Sequence, residues 1–183
     1  MNYSWHDEEA LSYGIINISA ANIRPWPVFQ SELTSQTLLG TIVPVFEERN
    51  DFLLVRNFDG YRGWISKHSI VRVTREHAEK WHSGPRVIVK TNYGIVRQQP
   101  DESSEILADL VPCAVLGKLE STLGSVRVAL PDGRSGFVPE YVVLDEAVQK
   151  KIRADWQQVL ATARNFLGRD LTAPALCRPF SVC

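Results

Sequence analysis

The sequence predicts a mainly β protein, in which two small β-barrels in tandem are followed by an amphipathic helix and an irregular tail. Three observations lead to this fold class. The 183-residue chain repeats itself at a constant shift, its β-type runs are short and regularly broken by turn residues, and the spacing of its apolar residues changes after Leu144. An internal repeat is interpreted first, because it decides the architecture of the whole chain.

The repeat is clearest in one hairpin motif. A shift of 73 residues, without gaps, places Asp59-Gly60-x-x-Gly63-Trp64-Ile65 on Asp132-Gly133-x-x-Gly136-Phe137-Val138. Asp-Gly favours the positive-φ turn of a hairpin, the later glycine allows close backbone approach, and the aromatic residue packs against the strand behind it. We therefore expect Trp64 and Phe137 in the two cores.

The β-type runs divide the chain into two modules, 13–73 and 86–144. In both, turn residues recur at intervals of about 8 to 12 positions, which is typical of a small barrel or sandwich. Between the modules, 74–85 is short, polar and closed by Gly84-Pro85, and it is interpreted as a linker with room for one helical turn.

After the second module the apolar residues step by three or four, as on one face of a helix. Asp145 can cap this helix and Gly168 can end it, which predicts a helix over 145–168 and an irregular tail over 169–183. The positions that form the stripe are Leu144, Val148, Ile152, Trp156, Val159, Ala163 and Leu167. Such a face needs a cover, so homo-oligomerisation through this helix stays open.

Charge and hydropathy exclude several classes of function. The net charge is −1, and no stretch concentrates Lys and Arg among aromatic residues, which argues against nucleic-acid binding. The first eleven residues include three acids and no apolar run, unlike a secretion signal. No stretch approaches the roughly 20 apolar residues that span a bilayer. We therefore predict a cytoplasmic protein that does not insert into membranes.

Cysteine and histidine usage predicts neither a disulfide framework nor a metal or cofactor. Three cysteines are an odd number, which favours reduced thiols, and Cys113 lies in an apolar run that predicts a small core residue. His77 and His82 are five apart, whereas two metal-binding histidines on one helix are four apart.

Both repeats resemble bacterial SH3 domains, through Asn22-Ile23-Arg24-x-x-Pro27, the Ser31-Glu32-Leu33 loop, Leu39-Gly40 and the Asp59–Ile65 hairpin. Two SH3-like domains followed by a helix that ends Ala161-Thr-Ala-Arg-Asn-Phe-Leu-Gly168 resemble the amino-terminal part of NlpC-type cysteine peptidases, notably the γ-D-glutamyl-L-diamino-acid endopeptidases that trim peptidoglycan peptides. The resemblance covers roughly residues 15–168, and it implies that the helix is the first of a catalytic domain.

The family pattern stops after Gly168. The resemblance requires a Trp-Gly-Gly segment, an Asp-Cys-Ser-Gly nucleophile motif and a later histidine base, but Gly168 is followed by Arg169-Asp-Leu-Thr, and Val182 precedes Cys183. A nucleophilic thiolate needs a base or a helix amino terminus beside it, and the four histidines all precede the tail. We therefore predict a non-enzymatic chain from a truncated or shifted reading frame. The alternative is a cysteine peptidase that uses Cys183.

The resemblance also implies a binding site. In the endopeptidases an acidic residue of the Ser-Glu loop and the hairpin tyrosine bind the free amino end of the substrate peptide, and here these are Glu32 and Tyr61. The plainer interpretation is a solvated loop acid and a surface aromatic residue. In the second module Glu105 matches Glu32, but Arg134 replaces Tyr61. We expect recognition of a peptidoglycan-derived muropeptide by the first module alone.

A third class of function is a protein-interaction adaptor, whose barrels would bind a partner's extended segment in the polyproline II conformation. No paired tyrosines with an acidic loop are recognisable in the sequence, which argues against it. Trp26, between Pro25 and Pro27, could belong to an aromatic groove or cover a barrel end.

Overall fold

The computed structural model describes residues 5–149, together with Ala161 and Arg164. The fold is mainly β and SH3-like. The strands of the first module are β1 (Ser12–Ile16), β2 (Ala20–Ile23), β3 (Ser35–Leu38), β4 (Ile42–Arg49), β5 (Phe52–Arg56), β6 (Arg62–Ser66) and β7 (Ile70–Val73). Those of the second are β8 (Arg86–Val89), β9 (Gly94–Arg97), β10 (Ile106–Leu110), β11 (Val115–Thr122), β12 (Ser125–Ala129), β13 (Ser135–Pro139) and β14 (Val143–Asp145).

All strand pairs in the described residues are antiparallel. The first module contains a five-stranded sheet of order β6-β5-β4-β1-β7 and a β2-β3 pair, and the second contains one sheet of order β10-β9-β13-β12-β11-β8-β14. The two sheet orders differ only in how one pair of strands is joined. Arg24 and Trp64 join β2 to β6 as an isolated bridge, whereas the equivalent Arg97 and Phe137 join β9 to β13 within the sheet.

The 73-residue repeat extends to strand register. Val55 lies opposite Gly63 in the first module, and Val128 lies opposite Gly136 in the second. Even the irregularities agree, because the register slips after Val45 in β4 and after the equivalent Lys118 in β11. A register shift of one residue would turn the side chains of a strand to the opposite face of the sheet. The equal registers therefore mean that equivalent residues of the two copies face the same side of their sheets.

Strand β1 is buried on both faces, and its alternation separates two apolar clusters. Ile16 packs into the first module's core, whereas Tyr13 and Ile15 face a second cluster that also contains Trp5. Trp64 is buried as expected, at 7 % exposure. The core prediction is wrong for Phe137, which is half-buried beside an open groove.

The stretch interpreted as a polar linker is a nine-residue helix, α1 (Arg75–Ser83). Thr74 caps it by accepting a hydrogen bond from the His77 backbone N–H, and Ala78 is fully buried. The Trp81 indole N–H donates to the carbonyl oxygen of Gly40 at 3.0 Å. The sequence obscured this helix, because two apolar residues in a polar stretch are too few to establish a helical period.

The two modules touch through the turn that follows β3. Leu39 is fully buried and belongs to the core cluster of the second module. Gly40 has φ +82°, and a Cβ atom there would overlap the carbonyl of Val115. This turn therefore needs glycine both for its backbone conformation and for the close approach of the second module.

Cys113 is not the reduced core thiol that the sequence predicts. It is half-buried, has φ +68° and is disulfide-bonded. Cys177 and Cys183 lie outside the described residues. Of the helix predicted over 145–168, the structure describes α2 (Glu146–Gln149), Ala161 and Arg164. The rest of that helix, its predicted oligomer contact and the tail 169–183 lie outside the described residues.

Candidate functional site

Tyr61 follows the tight turn that joins β5 to β6. The Asn57 backbone N–H donates to the Tyr61 carbonyl at 2.9 Å, and the Tyr61 N–H donates to Asp59 Oδ1, also at 2.9 Å. Gly60 has φ +84°, as the Asp-Gly pair predicts. Local hydrogen bonds therefore fix the backbone that carries the tyrosine.

The ring of Tyr61 lies beside Gly63, the second glycine of the motif. A Cβ atom at Gly63 would stand 3.0 Å from Tyr61 Cε1 and 2.9 Å from the carbonyl oxygen of Arg24. Any side chain at position 63 would displace the ring or the adjacent strand. The second glycine of the motif thus makes room for the tyrosine beside Arg24.

Arg24 also holds the loop that contains Glu32. Its backbone exchanges two hydrogen bonds with Trp64, at 2.9 and 2.7 Å, and its guanidinium donates to the carbonyl oxygen of Ser31. The base of the loop is closed by a 3.0 Å hydrogen bond from the Thr34 N–H to the Ile23 carbonyl. One arginine therefore connects the Tyr61 hairpin to the residue before Glu32.

The functional groups of the two predicted residues are open to solvent rather than used internally. Glu32 is exposed and Tyr61 is half-buried. Within residues 5–149, neither the Glu32 carboxylate nor the Tyr61 hydroxyl makes a hydrogen bond or ion pair. They do not bond to each other either, so the structure brings together their loops rather than the two side chains.

The second module repeats the arginine clasp but not the binding groups. Arg97 donates to the Ser104 carbonyl at 2.7 Å, as Arg24 does to Ser31. Arg134, which replaces Tyr61, donates from Nε to Asp132 Oδ2 at 2.7 Å. Its guanidinium is therefore already occupied by a neighbouring carboxylate.

Asp132 also makes a contact between the modules. It accepts a hydrogen bond of 3.3 Å from the Asn17 amide of the first module. Burial raises the pKa of Asp132, but the hydrogen bonds from Arg134 and Asn17 outweigh burial, so the pKa lies below its ordinary value. At neutral pH this carboxylate is ionised and engaged.

The sequence did not reveal a groove of about 490 Å³ on the second module. We name it the second-module groove; it lies beside the loop that follows β9 and the 3-10 turn Glu140–Val142, and it is lined by Tyr93, Pro100, Asp101, Phe137, Pro139 and Tyr141. Its two tyrosines fall on Ala20 and His68 of the first module. The repeat therefore concealed the groove, although the differences between the copies could have pointed to it.

Two other kinds of site are not found in the described part of the chain. No three His, Cys, Asp or Glu side chains there are grouped so that they could hold a metal ion. No helix within it is long and apolar enough to cross a membrane.

A family model described as Bacterial SH3 domain matches residues 19–71. Residues 19–71 are thus similar to bacterial SH3 domains. The match spans β2 to the start of β7 and contains both Glu32 and Tyr61. The predicted resemblance of the first module is thereby confirmed. No curated protein matches the chain.

One solved structure extends the likeness beyond residues 19–71. An NlpC/P60 family protein from Bacillus cereus ATCC 10987 is 21% identical with a TM-score of 0.70, over 84% of this chain and 63% of that protein. An NlpC/P60 endopeptidase from Photobacterium damselae subsp. piscicida is 13% identical with a TM-score of 0.49, over 80% of this chain and 35% of that one. The Bacillus likeness shows a shared fold, and this chain spans less than two thirds of that relative.

Proposed function

We propose that this chain is a non-catalytic module that binds peptides of the bacterial cell wall, with Glu32 and Tyr61 of the SH3 domain at 19–71 holding the free amino end of the peptide. The bacterial SH3 match and the fold shared with an NlpC/P60 family protein support this class of ligand. The proposal treats 13–73 and 86–144 as two SH3-like barrels, of which only the first recognises the peptide.

The observation that carries the proposal is that the Glu32 carboxylate and the Tyr61 hydroxyl make no bond within the described residues, while Arg24 connects the loops that contain them. The Glu32 carboxylate accepts only, while the Tyr61 hydroxyl both donates and accepts. An ammonium group has three donors, and charge-assisted hydrogen bonds to a carboxylate and a phenol oxygen would satisfy two of them. In the second module the equivalent of Tyr61 is Arg134, which is paired with Asp132. The positively charged guanidinium of Arg134 would repel an ammonium group.

Calorimetric titration with the tripeptide L-Ala-γ-D-Glu-diamino acid, carrying a free amino end, tests the site. We expect Glu32→Gln and Tyr61→Phe each to weaken binding by about tenfold, which is the loss of one charge-assisted hydrogen bond. The matched control is Glu105→Gln, which removes the equivalent acid from the second module and should leave the titration unchanged. Acetylation of the peptide's amino group should weaken binding as much as Glu32→Gln does. Equal binding by the wild type and both site variants would refute the assignment.

The non-catalytic part of the proposal has its own measurement. The tripeptide should remain intact, by mass spectrometry, after prolonged incubation with the purified chain. Cleavage that disappears in Cys183→Ser would instead establish the cysteine peptidase alternative. The cytoplasmic location stays a prediction.

A further inference from the structure

Three exposed aromatic or apolar side chains line the second-module groove. Tyr93 is 62% exposed and Tyr141 is 71% exposed, and both lie in its wall. Leu123, at one end, is fully exposed. A patch of this kind marks an interaction surface more often than scattered apolar residues do. Tyrosine suits such a surface because it offers a large, stiff contact area with a polar end.

The loop on one side of the groove is acidic. Asp101 and Glu102 are both exposed and both line the groove. Asp101 Oδ1 accepts hydrogen bonds from the Ser103 N–H at 2.9 Å and from its hydroxyl at 3.1 Å, and these bonds hold the pKa of Asp101 below its ordinary value. The cation in the groove wall, Arg97, already donates to Ser104. The groove therefore presents negative charge beside aromatic surface.

At the corresponding positions of the first module, two aromatic residues pack against each other, one of them exposed and the other buried. There Phe29 packs against Phe52 with ring centroids 4.8 Å apart. The 73-residue shift puts Glu102 and Ser125 at these two positions. Ser125 is buried, and its hydroxyl shares a 2.8 Å hydrogen bond with the hydroxyl of Thr122. The serine side chain is therefore too small and too engaged to occupy the groove as an aromatic ring would. The two copies therefore differ at this location: the first has an exposed phenylalanine packed against a buried one, and the second has an acidic residue beside an open groove.

We propose that the second-module groove binds an extended, proline-containing peptide segment that carries an arginine or lysine. A polyproline II segment is stiff before binding and packs its rings against aromatic surfaces, so little conformational entropy is lost. Tyr93, Tyr141 and Pro139 supply that surface. The basic side chain would pair with Asp101 and Glu102, which gives the peptide its direction along the groove.

A groove that binds such a peptide would make the chain a protein-interaction adaptor, at a site separate from Glu32 and Tyr61. The sequence argued against it because no paired tyrosines with an acidic loop were recognisable. The fold supplies both, because it places Tyr93, which precedes β9, near Tyr141 in the 3-10 turn that follows β13.

The test is an NMR titration of the ¹⁵N-labelled protein with a designed twelve-residue peptide that contains two Pro-x-x-Pro units and one arginine. We expect saturable shifts at the backbone amides of Tyr93, Gly94 and Tyr141. Tyr141→Ala, and the double change Asp101→Asn with Glu102→Gln, should each weaken binding at least fivefold. Trp26→Ala is the matched control, because Trp26 is a 69% exposed aromatic residue of the first module. It should leave binding unchanged, as should Glu32→Gln and Tyr61→Phe.

The role of charge in the groove is tested on the peptide itself. Replacing the peptide's arginine by glutamate should weaken binding at least tenfold, and added salt should weaken binding of the arginine peptide. Absence of saturation at millimolar peptide, or shifts confined to the first module, would overturn the proposal. So would a chito-oligosaccharide that saturates the groove while the peptide does not, since the ligand would then be a glycan. The amide spectrum of each variant reports whether it is folded.

Discussion

The backbone N–H of Val115 donates a hydrogen bond of 2.9 Å to the carbonyl oxygen of Leu39 and so joins β11 to the turn after β3. The side chain of Leu39 continues the contact, because it is packed with the core residues of the second module. Helix α1 contributes to the same joint, because the Trp81 indole N–H donates to the carbonyl oxygen of Gly40. The relative position of the modules is therefore set by a hydrogen-bonded and apolar contact rather than by a flexible linker.

Replacing Gly40 by alanine should strongly destabilise this joint. Gly40 has φ +82°, and the new Cβ atom would overlap the Val115 carbonyl. The positive φ alone costs about 1–3 kcal/mol for a residue with a Cβ. Relief of the overlap should add a further cost of about 1–3 kcal/mol. Urea denaturation measures the free energy of unfolding.

Gly60→Ala is the matched control for this change. Gly60 has nearly the same backbone conformation, φ +84°, but a Cβ atom there would meet nothing within 4 Å. It should therefore show only the conformational cost. Equal losses of stability in the two variants would mean that the approach of Val115 contributes nothing.

Trp81→Phe should lower the free energy of unfolding by about 1 kcal/mol, because it removes the indole N–H that donates to the Gly40 carbonyl. The change is measured by chemical denaturation followed by circular dichroism. Trp26→Phe, at an exposed position, should change stability by less than about 0.5 kcal/mol. A Trp81 variant as stable as the Trp26 variant would contradict the structural role of this hydrogen bond.

The stabilising effect of Asp132 should depend on pH. Its pKa in the folded protein lies below the ordinary value of 3.8, so the folded state favours the ionised carboxylate. The resulting stabilisation is fully present above pH 3.8 and is lost as the pH falls through the lower, folded-state pKa. Denaturation of the wild type and of Asp132→Asn at several pH values measures it. The wild type should be more stable at pH 6, and its advantage should shrink below pH 4. A constant difference across that range would show that ionisation is not involved.

The sequence predicted most of what the repeat determines, because turn chemistry and strand alternation are local properties. The Asp-Gly turn before Tyr61 and its copy before Arg134 both have the predicted positive φ at glycine. The first module's likeness to bacterial SH3 domains followed from the same residues. Glu32 and Tyr61 remain a prediction, for which the structure supplies free side chains on neighbouring loops.

What the sequence missed depends on contacts between distant segments. The burial of Trp5 against Tyr13 could not be read from an acidic, short amino-terminal stretch. The core prediction for Phe137 rests on its place after the hairpin glycine, which it shares with Trp64, but the open groove beside it leaves it half-exposed. The two copies differ where the residues around an equivalent position have changed. A sequence repeat predicts only the features that both copies have kept.

The position of Leu39 makes it costly to separate the second module from the first. Its side chain completes the interior of the half to which it does not belong. A gene segment that encoded only residues 86–144 would produce a domain with a leucine-sized hole, whose cost is about 2–5 kcal/mol by analogy with Leu→Ala changes in cores. The duplicated copies are thus no longer interchangeable parts, and evolution or protein engineering would have to move them as a pair.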